Sequence, residues 1–462
     1  MSTDIRLVNI LNQNPEVNNN GEPSLSNNFP QHSQVPSSRD KWGGAAEFLL
    51  ASLGNAVGLG NVWRFPFLCF KNGGGAFVIP YIIMVFVVGL PIFIIELSLG
   101  QYTSMGPDQV FKNICPIFQG LGYASIIAST IVGTYYNMII AWTLYYFVES
   151  FLGQNWQHCN NSFNTPNCFT TLNSTRLNHT IYNLTNNNES ISSSEEFFNN
   201  YVLAKSDGID KFGNLQWKLV LALAVAWIIV VGSLFKGIQT SGKVVYFTAT
   251  FPYVILVILF VRGITLDGAW NGIYYYISPD FTKIKDLEVW KAAAIQVFFS
   301  FGIGGGGMLT YASYNRFHNP IVKHALMIGL GDMFTSLFAG FVMFSMIGFM
   351  AHILEKPIPD VVQSGTGLAF IVIPDGLSQM PLSIAWSLLF FAMLFFLGID
   401  TQFAMMETLI TFMFDQLRRS NPSIKLNKPI IVTLTGIIWF VLGLPLCFRA
   451  GIYILNLMDN FA

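Results

Sequence analysis

Two short segments hold the groups best placed to do chemistry. Ser52-Leu-Gly-Asn-Ala-Val-Gly-Leu-Gly-Asn61 and Ser300-Phe-Gly-Ile-Gly-Gly-Gly-Gly-Met308 each interrupt a long apolar stretch with clustered glycine. A glycine in a helix interior costs about 1 kcal/mol relative to alanine, so such clusters should unwind a helix. Unwound backbone cannot be left bare in lipid; it must line a cavity and find ligands. A half-helix N-terminus suits a carboxylate, and freed carbonyls suit Na⁺. The competing reading of either segment is close helix packing through small residues. Two such segments at corresponding places, five helices apart, favour binding. Asp400 adds a carboxylate within an apolar span, a costly placement that marks it as an ion ligand. Asn61 or Ser300, taken singly, is more often a helix-packing hydrogen bond. The literal G-x-G-x-x-G from Gly302 to Gly307 would need a preceding strand and a β-α-β unit to bind a dinucleotide. Its place inside an apolar span argues against that.

The elements around these groups follow from composition. The chain has 462 residues, 52% hydrophobic and 11% charged, with 42 phenylalanines. Soluble domains carry about 25% charged residues, so the expected class is an all-α polytopic membrane protein. The net charge of −1 and the lack of a basic cluster argue against nucleic acid. Eight apolar stretches are long enough to cross a bilayer: 43–66, 76–99, 121–152, 216–234, 244–262, 324–352, 382–414 and 429–447. The run near 290–314 is a ninth, broken in its middle. Residues 1–40, rich in Asn, Ser, Gln and Pro, are expected to be a disordered cytoplasmic tail, with the membrane domain over 41–462.

Segment 153–215 is long and polar. It contains the acceptor sequons Asn160, Asn173, Asn178, Asn183 and Asn188, and a cysteine pair, Cys159 and Cys168, close enough for a disulfide in an oxidising compartment. An extracellular loop is expected here, which puts the N-terminus inside a plasma membrane. Lys236, Lys243, Arg316, Lys323, His324, Arg418, Arg419, Lys425 and Lys428 then fall in cytoplasmic loops, as the positive-inside rule asks. Cys69, Cys115 and Cys447 are isolated and read as structural. No nucleophile–base or metal–His constellation is present, so an enzyme is not expected.

The ordered motifs resemble one family. Gly54-Asn-Ala-Val-Gly-Leu-Gly-Asn-Val-Trp-Arg-Phe-Pro66, Asn72-Gly-Gly-Gly-Ala-Phe77, Pro80-Tyr81 and Glu96-Leu-Ser-Leu-Gly-Gln101 are similar to the neurotransmitter:sodium symporters. Tyr135-Tyr-Asn137, Phe298-Phe-Ser300, Ala312-Ser-Tyr-Asn315 and Gly398-Ile-Asp400 fit the family's later helices. The resemblance runs from Lys41 to the last residue. A bacterial member of this family is itself a worked example of inverted repeats and broken helices. The resemblance implies inverted five-helix repeats with helices 1 and 6 broken, and sodium-coupled symport by alternating access.

By the same resemblance, one sodium site uses the Ala56 carbonyl, the side chains of Asn61 and Ser300, and the position filled in this chain by Asp332. The second uses the carbonyls of Gly54, Val57 and Leu397 with Asp400 and Thr401. Oxygen donors of this kind suit a hard cation. The substrate carboxylate would rest on the amides of Leu59 and Gly60 near the Tyr136 hydroxyl, and its amine on the carbonyls of Ala56, Phe299 and Ser300. Val132, Tyr136, Phe299, Gly302, Gly305, Thr401 and Met405 would line the side-chain pocket. On their own, Val132 and Met405 read as ordinary helix packing.

Gly58 narrows the substrate. Monoamine members place an Asp there to pair with the amine. Glycine leaves no such anion, so a neutral amino acid bringing its own carboxylate is expected. Gly305 stands where many relatives carry a bulky aromatic, which tilts the pocket toward a medium or large side chain over glycine. Tyr81, Gln296, Ser300 and Ser336 match the family's chloride ligands, yet Asp332 occupies a position commonly Asn in chloride-dependent members. Either the carboxylate partly replaces chloride, or it strengthens the first sodium site or broadens its cation choice; chloride coupling stays open.

Arg64 is expected to face an outer vestibule and to pair with Asp459, with Phe299 capping the substrate and Tyr136 helping to close the outer side. Trp42 and Arg39 would form part of an inner gate. The chain stops at Ala462, just inside the tenth of the twelve spans the family implies, so about nine and a half spans and an incomplete repeat are expected. A C-terminally truncated, non-transporting isoform or partner subunit is the alternative, and a channel is less favoured. The oligomeric state, like the identity of the amino acid, cannot be read from the sequence.

Overall fold

The computed structural model describes residues 39–170, 191–362, 365–420 and 427–461. The expected tail over residues 1–38, the sequons at Asn173, Asn178, Asn183 and Asn188, and Lys425 lie outside the described residues. Asp40–Ala462 form one compact unit, which begins one residue before the boundary expected from sequence.

The described residues are mostly helical, as the density of apolar residues demands of a bilayer-spanning chain. The first span is not one helix but three pieces, α1 (Ala45–Ala56), α2 (Leu59–Val62) and α3 (Arg64–Lys71). The second runs from α4 (Gly75–Met84) through a π-turn at Val85–Gly89 into α5 (Leu90–Thr103); Pro80 lies inside α4, upstream of that π-turn. A short helix, α6 (Pro107–Ile114), leads toward α7 (Gln119–Leu152). At 34 residues α7 is about 51 Å long at 1.5 Å per residue. Then come α8 (Trp217–Leu234), α9 (Ile238–Thr248), α10 (Phe251–Gly263) and α11 (Ala269–Ile277). The sixth span is again broken, into α12 (Leu287–Phe301) and α13 (Gly307–Ser313). It is followed by α14 (Ile321–Ile353), α15 (Ser383–Ser420), α16 (Lys428–Gly443) and α17 (Gly451–Phe461).

Seven helical stretches among the described residues are long and apolar enough to cross a membrane uninterrupted. The first and sixth spans miss that standard only because they are broken. Helices α7 and α15 pack along each other, α13 lies on α5, and α1 touches α9, α14 and α15. The first break is thereby enclosed in protein, whereas Gly304 of the second is exposed.

In the polar segment after α7, Cys159 and Cys168 are joined by a disulfide. Cys168–Phe169 pairs in parallel with Ile191–Ser192. Asn160 is exposed.

Candidate functional site

The first break sits at Val57 and Gly58, whose backbones leave the helical region (φ −84°, ψ 84° and φ −105°, ψ −168°). Asn61, one turn later, repairs part of the damage: its Oδ1 accepts the Gly58 amide at 3.1 Å. That bond orients the side chain so that Nδ2 faces Asp332 Oδ1 and Ser336 Oγ, both at 2.8 Å, and Ser300 Oγ at 3.2 Å. Ser300, at the end of α12, donates its hydroxyl to the Asp332 carboxylate, whose two oxygens lie 2.8 and 2.9 Å away. Asn61 of α2, Ser300 of α12, and Asp332 and Ser336 of α14 therefore converge beside the first break. Asp332 is fully buried.

The second break spans Gly302–Gly306. Gly302, Gly304 and Gly306 have φ of 63°, 82° and 76°, a left-handed region that side-chain-bearing residues rarely enter. Two side chains that the sequence did not assign to the site pin this loop. Ser129 on α7 donates its hydroxyl to the Gly305 carbonyl, and the Glu96 carboxylate on α5 accepts the Gly304 amide at 3.4 Å. Glu96 stands out in the sequence only as part of a motif, and Ser129 carries no local signal at all.

Between the breaks lies a cavity of about 360 Å³. Ala56, Gly60, Val132, Tyr136, Phe299 and Ser300 line it, as do Gly302, Gly305, Thr401 and Met405. These are ten of the eleven expected substrate residues; Leu59 alone is not on the wall. Its amide instead donates to the Tyr136 hydroxyl at 3.3 Å, which leaves Tyr136 bridging α7 to the first break. Asn55 and Ile303, from within the two glycine-rich segments, also line the cavity, as do Ala128, Ser129 and Ala404, which nothing in their local sequence marks.

Asp400 approaches the first break from the other side. It is 2% exposed, and its Oδ1 accepts Thr248 Oγ1 of α9 at 2.6 Å. Thr248 is a partner that no motif announces. Thr401 Oγ1 reaches the Asn55 carbonyl at 3.3 Å. Leu397 is buried one turn earlier on α15. Among the described residues, neither Asp332 nor Asp400 has a Lys, Arg or His within ion-pair distance. A buried carboxylate without a counter-charge is costly. Each is neutralised either by a proton or by a bound cation, and oxygen atoms are the donors at hand.

The residues expected to hold chloride are partly assembled. The Tyr81 hydroxyl lies 3.3 Å from Ser336 Oγ. Gln296 is fully buried, and neither its Nε2 nor its Oε1 has a hydrogen-bond partner. An orphaned buried amide one turn before Ser300 fits a small ion in this corner. Asp332 brings negative charge to the same corner.

The two ends of the cavity differ. Arg64 and Asp459 do not pair. The Tyr135 hydroxyl donates to Asp459 at 3.0 Å, while the Arg64 guanidinium lies over the Phe299 ring, 4.2 Å from its centroid. The physical reason is that each charged group has found a nearer partner, an aromatic face or a phenol. Tyr136, expected to close the same end, is buried beneath it, and Phe299 is 40% exposed. At the opposite end Trp42 is buried, donates to the Tyr311 carbonyl at 2.9 Å and packs edge-on against that ring. Beside it Lys428 pairs with the buried Glu407 at 3.1 Å, and Tyr314 donates to Glu407 at 2.7 Å. That end is sealed.

The family model described as "Sodium:neurotransmitter symporter family" matches residues 39–462. The chain is 46% identical over 439 residues to the "Sodium- and chloride-dependent glycine transporter 1" of Xenopus laevis, covering 92% of this chain and 68% of that protein. It is 45% identical over 450 residues to the "Sodium- and chloride-dependent glycine transporter 2" of Xenopus laevis, covering 92% of this chain but only 56% of the relative's length. With two broken helices, paired buried carboxylates and a match over nearly the whole chain, this protein belongs to the sodium:neurotransmitter symporter family.

Proposed function

We propose that this chain forms the ion- and substrate-binding core of a sodium-coupled symporter that moves a neutral amino acid across the plasma membrane by alternating access. The observation that carries this reading is the pair of buried carboxylates, Asp332 and Asp400. Each lies beside a helix break and lacks a basic partner among the described residues. Two sodium ions would neutralise them. The first takes Ser300, Asp332 and the Ala56 carbonyl, and Asn61 joins it through Oδ1, the oxygen that accepts the Gly58 amide; the second takes Asp400, Thr401 and the carbonyls of Gly54, Val57 and Leu397.

The substrate carboxylate rests at the Gly60 amide and the Tyr136 hydroxyl, which the Leu59 amide holds in place, and its amine meets the carbonyls of Ala56, Phe299 and Ser300. Ser300 and Thr401 belong to both an ion site and the cavity wall. Ion and substrate therefore order the same backbone, which is the physical basis of coupling, worth about 1–3 kcal/mol in typical linked systems. Glycine at position 58 supports a substrate that brings its own anion. Chloride binds at Tyr81, Gln296, Ser300 and Ser336 as an accessory anion, and Asp332 lowers the need for it. Closure of the open end would bring Arg64 toward Asp459 while the seal around Trp42 opens. The N-terminus and the Trp42 end face the cytoplasm in this reading, and the disulfide-bearing segment faces outward.

Uptake of radiolabelled neutral amino acids by cells expressing the full-length protein tests it. Saturable accumulation that vanishes when sodium is replaced by choline is expected. Non-saturating flux without accumulation would favour a channel, and no uptake of any amino acid would overturn the reading.

A further inference from the structure

Besides the groups that would hold an amino acid's carboxylate and amine, the cavity wall includes the small residues Ala128, Ser129, Gly302, Gly305, Gly307 and Ala404. Val132, Ile303 and Met405 line it as well. The small residues leave room for a side chain, an extension of the substrate site. The cavity as a whole measures about 360 Å³ and is open at the Phe299 end. Glycine, with no side chain, would leave much of that space wet.

Packing does not require a glycine at position 305. A Cβ there would meet only the Gly302 carbonyl oxygen at 3.4 Å and Ser129 Oγ at 3.6 Å, ordinary contact distances, and the Gly305 φ is outside the left-handed region. The effect of its missing side chain is to keep the extension open. Asn55 faces the same space. Its Nδ2 lies 3.7 Å from where a Cβ on Gly302 or Gly307 would stand. Among the described residues its amide side chain makes no hydrogen bond; only its backbone carbonyl does, with Thr401. An amide in a largely apolar cavity is poorly satisfied unless the occupant offers it a partner.

We infer that Gly305 and Asn55 set the substrate class: the site takes a neutral amino acid with an extended side chain, of leucine or glutamine size, in preference to glycine. Gly305 supplies the room, and Asn55 lets the side chain be polar. This inference rests on the cavity being the substrate site proposed above. The occupant would then differ from the one named in the relatives' descriptions.

The test is a sodium-dependent thermal shift of the purified full-length protein, titrated with glycine, alanine, leucine and glutamine, alongside uptake of the same amino acids. A methylene seated in an apolar pocket changes discrimination by roughly ten-fold or more. Leucine and glutamine should therefore half-saturate the shift at concentrations about ten-fold below glycine. Gly305→Phe, which fills the extension, should reverse the order. Asn55→Leu should weaken glutamine relative to leucine by about ten-fold. Glycine binding as tightly as both larger amino acids would overturn the inference, even if Gly305→Phe cannot be purified. Unchanged ratios in both variants would do the same. Because the shift reads occupancy, sodium-dependent binding of leucine without uptake would sink the transport reading and keep this one. Binding and uptake of glycine alone would do the reverse.

Discussion

Gly54 and Asp400 touch so closely that a Cβ on Gly54 would stand 2.5 Å from Asp400 Oδ2. The glycine is there because the carboxylate is. A methyl group at this place must push Asp400 away from the first break or shift α1 itself, and overpacking of this sort costs about 1–3 kcal/mol. Gly54→Ala should therefore raise the half-saturating sodium concentration by about ten-fold, or about 1.4 kcal/mol. Asp400→Asn should raise it further. Sodium titration of uptake at fixed amino acid measures both, and an unchanged sodium dependence in Asp400→Asn would remove it from the ion site.

Gly58 is confined in the same way from the substrate side. A Cβ there would meet Thr401 Oγ1 at 2.9 Å and the Tyr136 hydroxyl at 3.2 Å. Gly58→Asp should abolish amino-acid uptake while surface biotinylation still detects the protein, because the new side chain would occupy the space proposed for the substrate carboxylate. Retained uptake in that variant would argue that the carboxylate binds elsewhere.

Asp332 accepts hydrogen bonds from the Ser300 hydroxyl and the Asn61 amide inside a fully buried corner. Its negative charge should make uptake partly independent of external anion, since like charges in one site repel. With gluconate replacing chloride, the native protein is expected to keep a larger share of its uptake than Asp332→Asn, whose uptake should fall by about ten-fold, the loss of about 1.4 kcal/mol. Equal losses in the two proteins would show that the carboxylate does not stand in for the anion.

Tyr135 holds Asp459 at 3.0 Å, away from Arg64. If closure brings the two charges together, Arg64→Gln and Asp459→Asn should each lower the maximal uptake rate by about ten-fold, about 1.4 kcal/mol on the closure step. Equilibrium binding in sodium should change far less. Equal losses in binding and rate would place these residues in the site rather than at its mouth.

The disulfide closes a short loop, Cys159 to Cys168, beside the buried Trp156. Removing a native disulfide costs roughly 2–5 kcal/mol in small secreted domains, so Cys159→Ser with Cys168→Ser should reduce the surface-expressed fraction. A glycosidase-sensitive mass shift should accompany surface expression of the native protein. Its absence would argue against an extracellular position for residues 153–215.

Much of this protein is decided by its sequence alone. Long charge-poor runs leave helices as the available form in lipid, because no other arrangement within a single span satisfies the backbone. Glycine at positions 54 to 60 and 302 to 307 marks where two of those helices must open, since the cost is local and adds residue by residue. Asp400 could be picked out because a carboxylate is anomalous within an apolar span, whereas Gly58, Asn61 and Ser300 took their roles from the family resemblance, since Asn61 or Ser300 alone reads as helix packing.

The tertiary structure decided what depends on groups far apart in the chain. Thr248 on Asp400, Ser129 on the Gly305 carbonyl and Glu96 on the Gly304 amide join residues separated by 152, 176 and 208 positions, and no local pattern carries that information. The partner of Asp459 was decided the same way. Sequence offers it any basic residue at the same depth, whereas packing placed Tyr135 within hydrogen-bonding reach and laid Arg64 over Phe299. Charge and propensity are properties of single residues and can be read from a line of letters. Which donor reaches which acceptor is a property of distance, and distance exists only once the helices have packed.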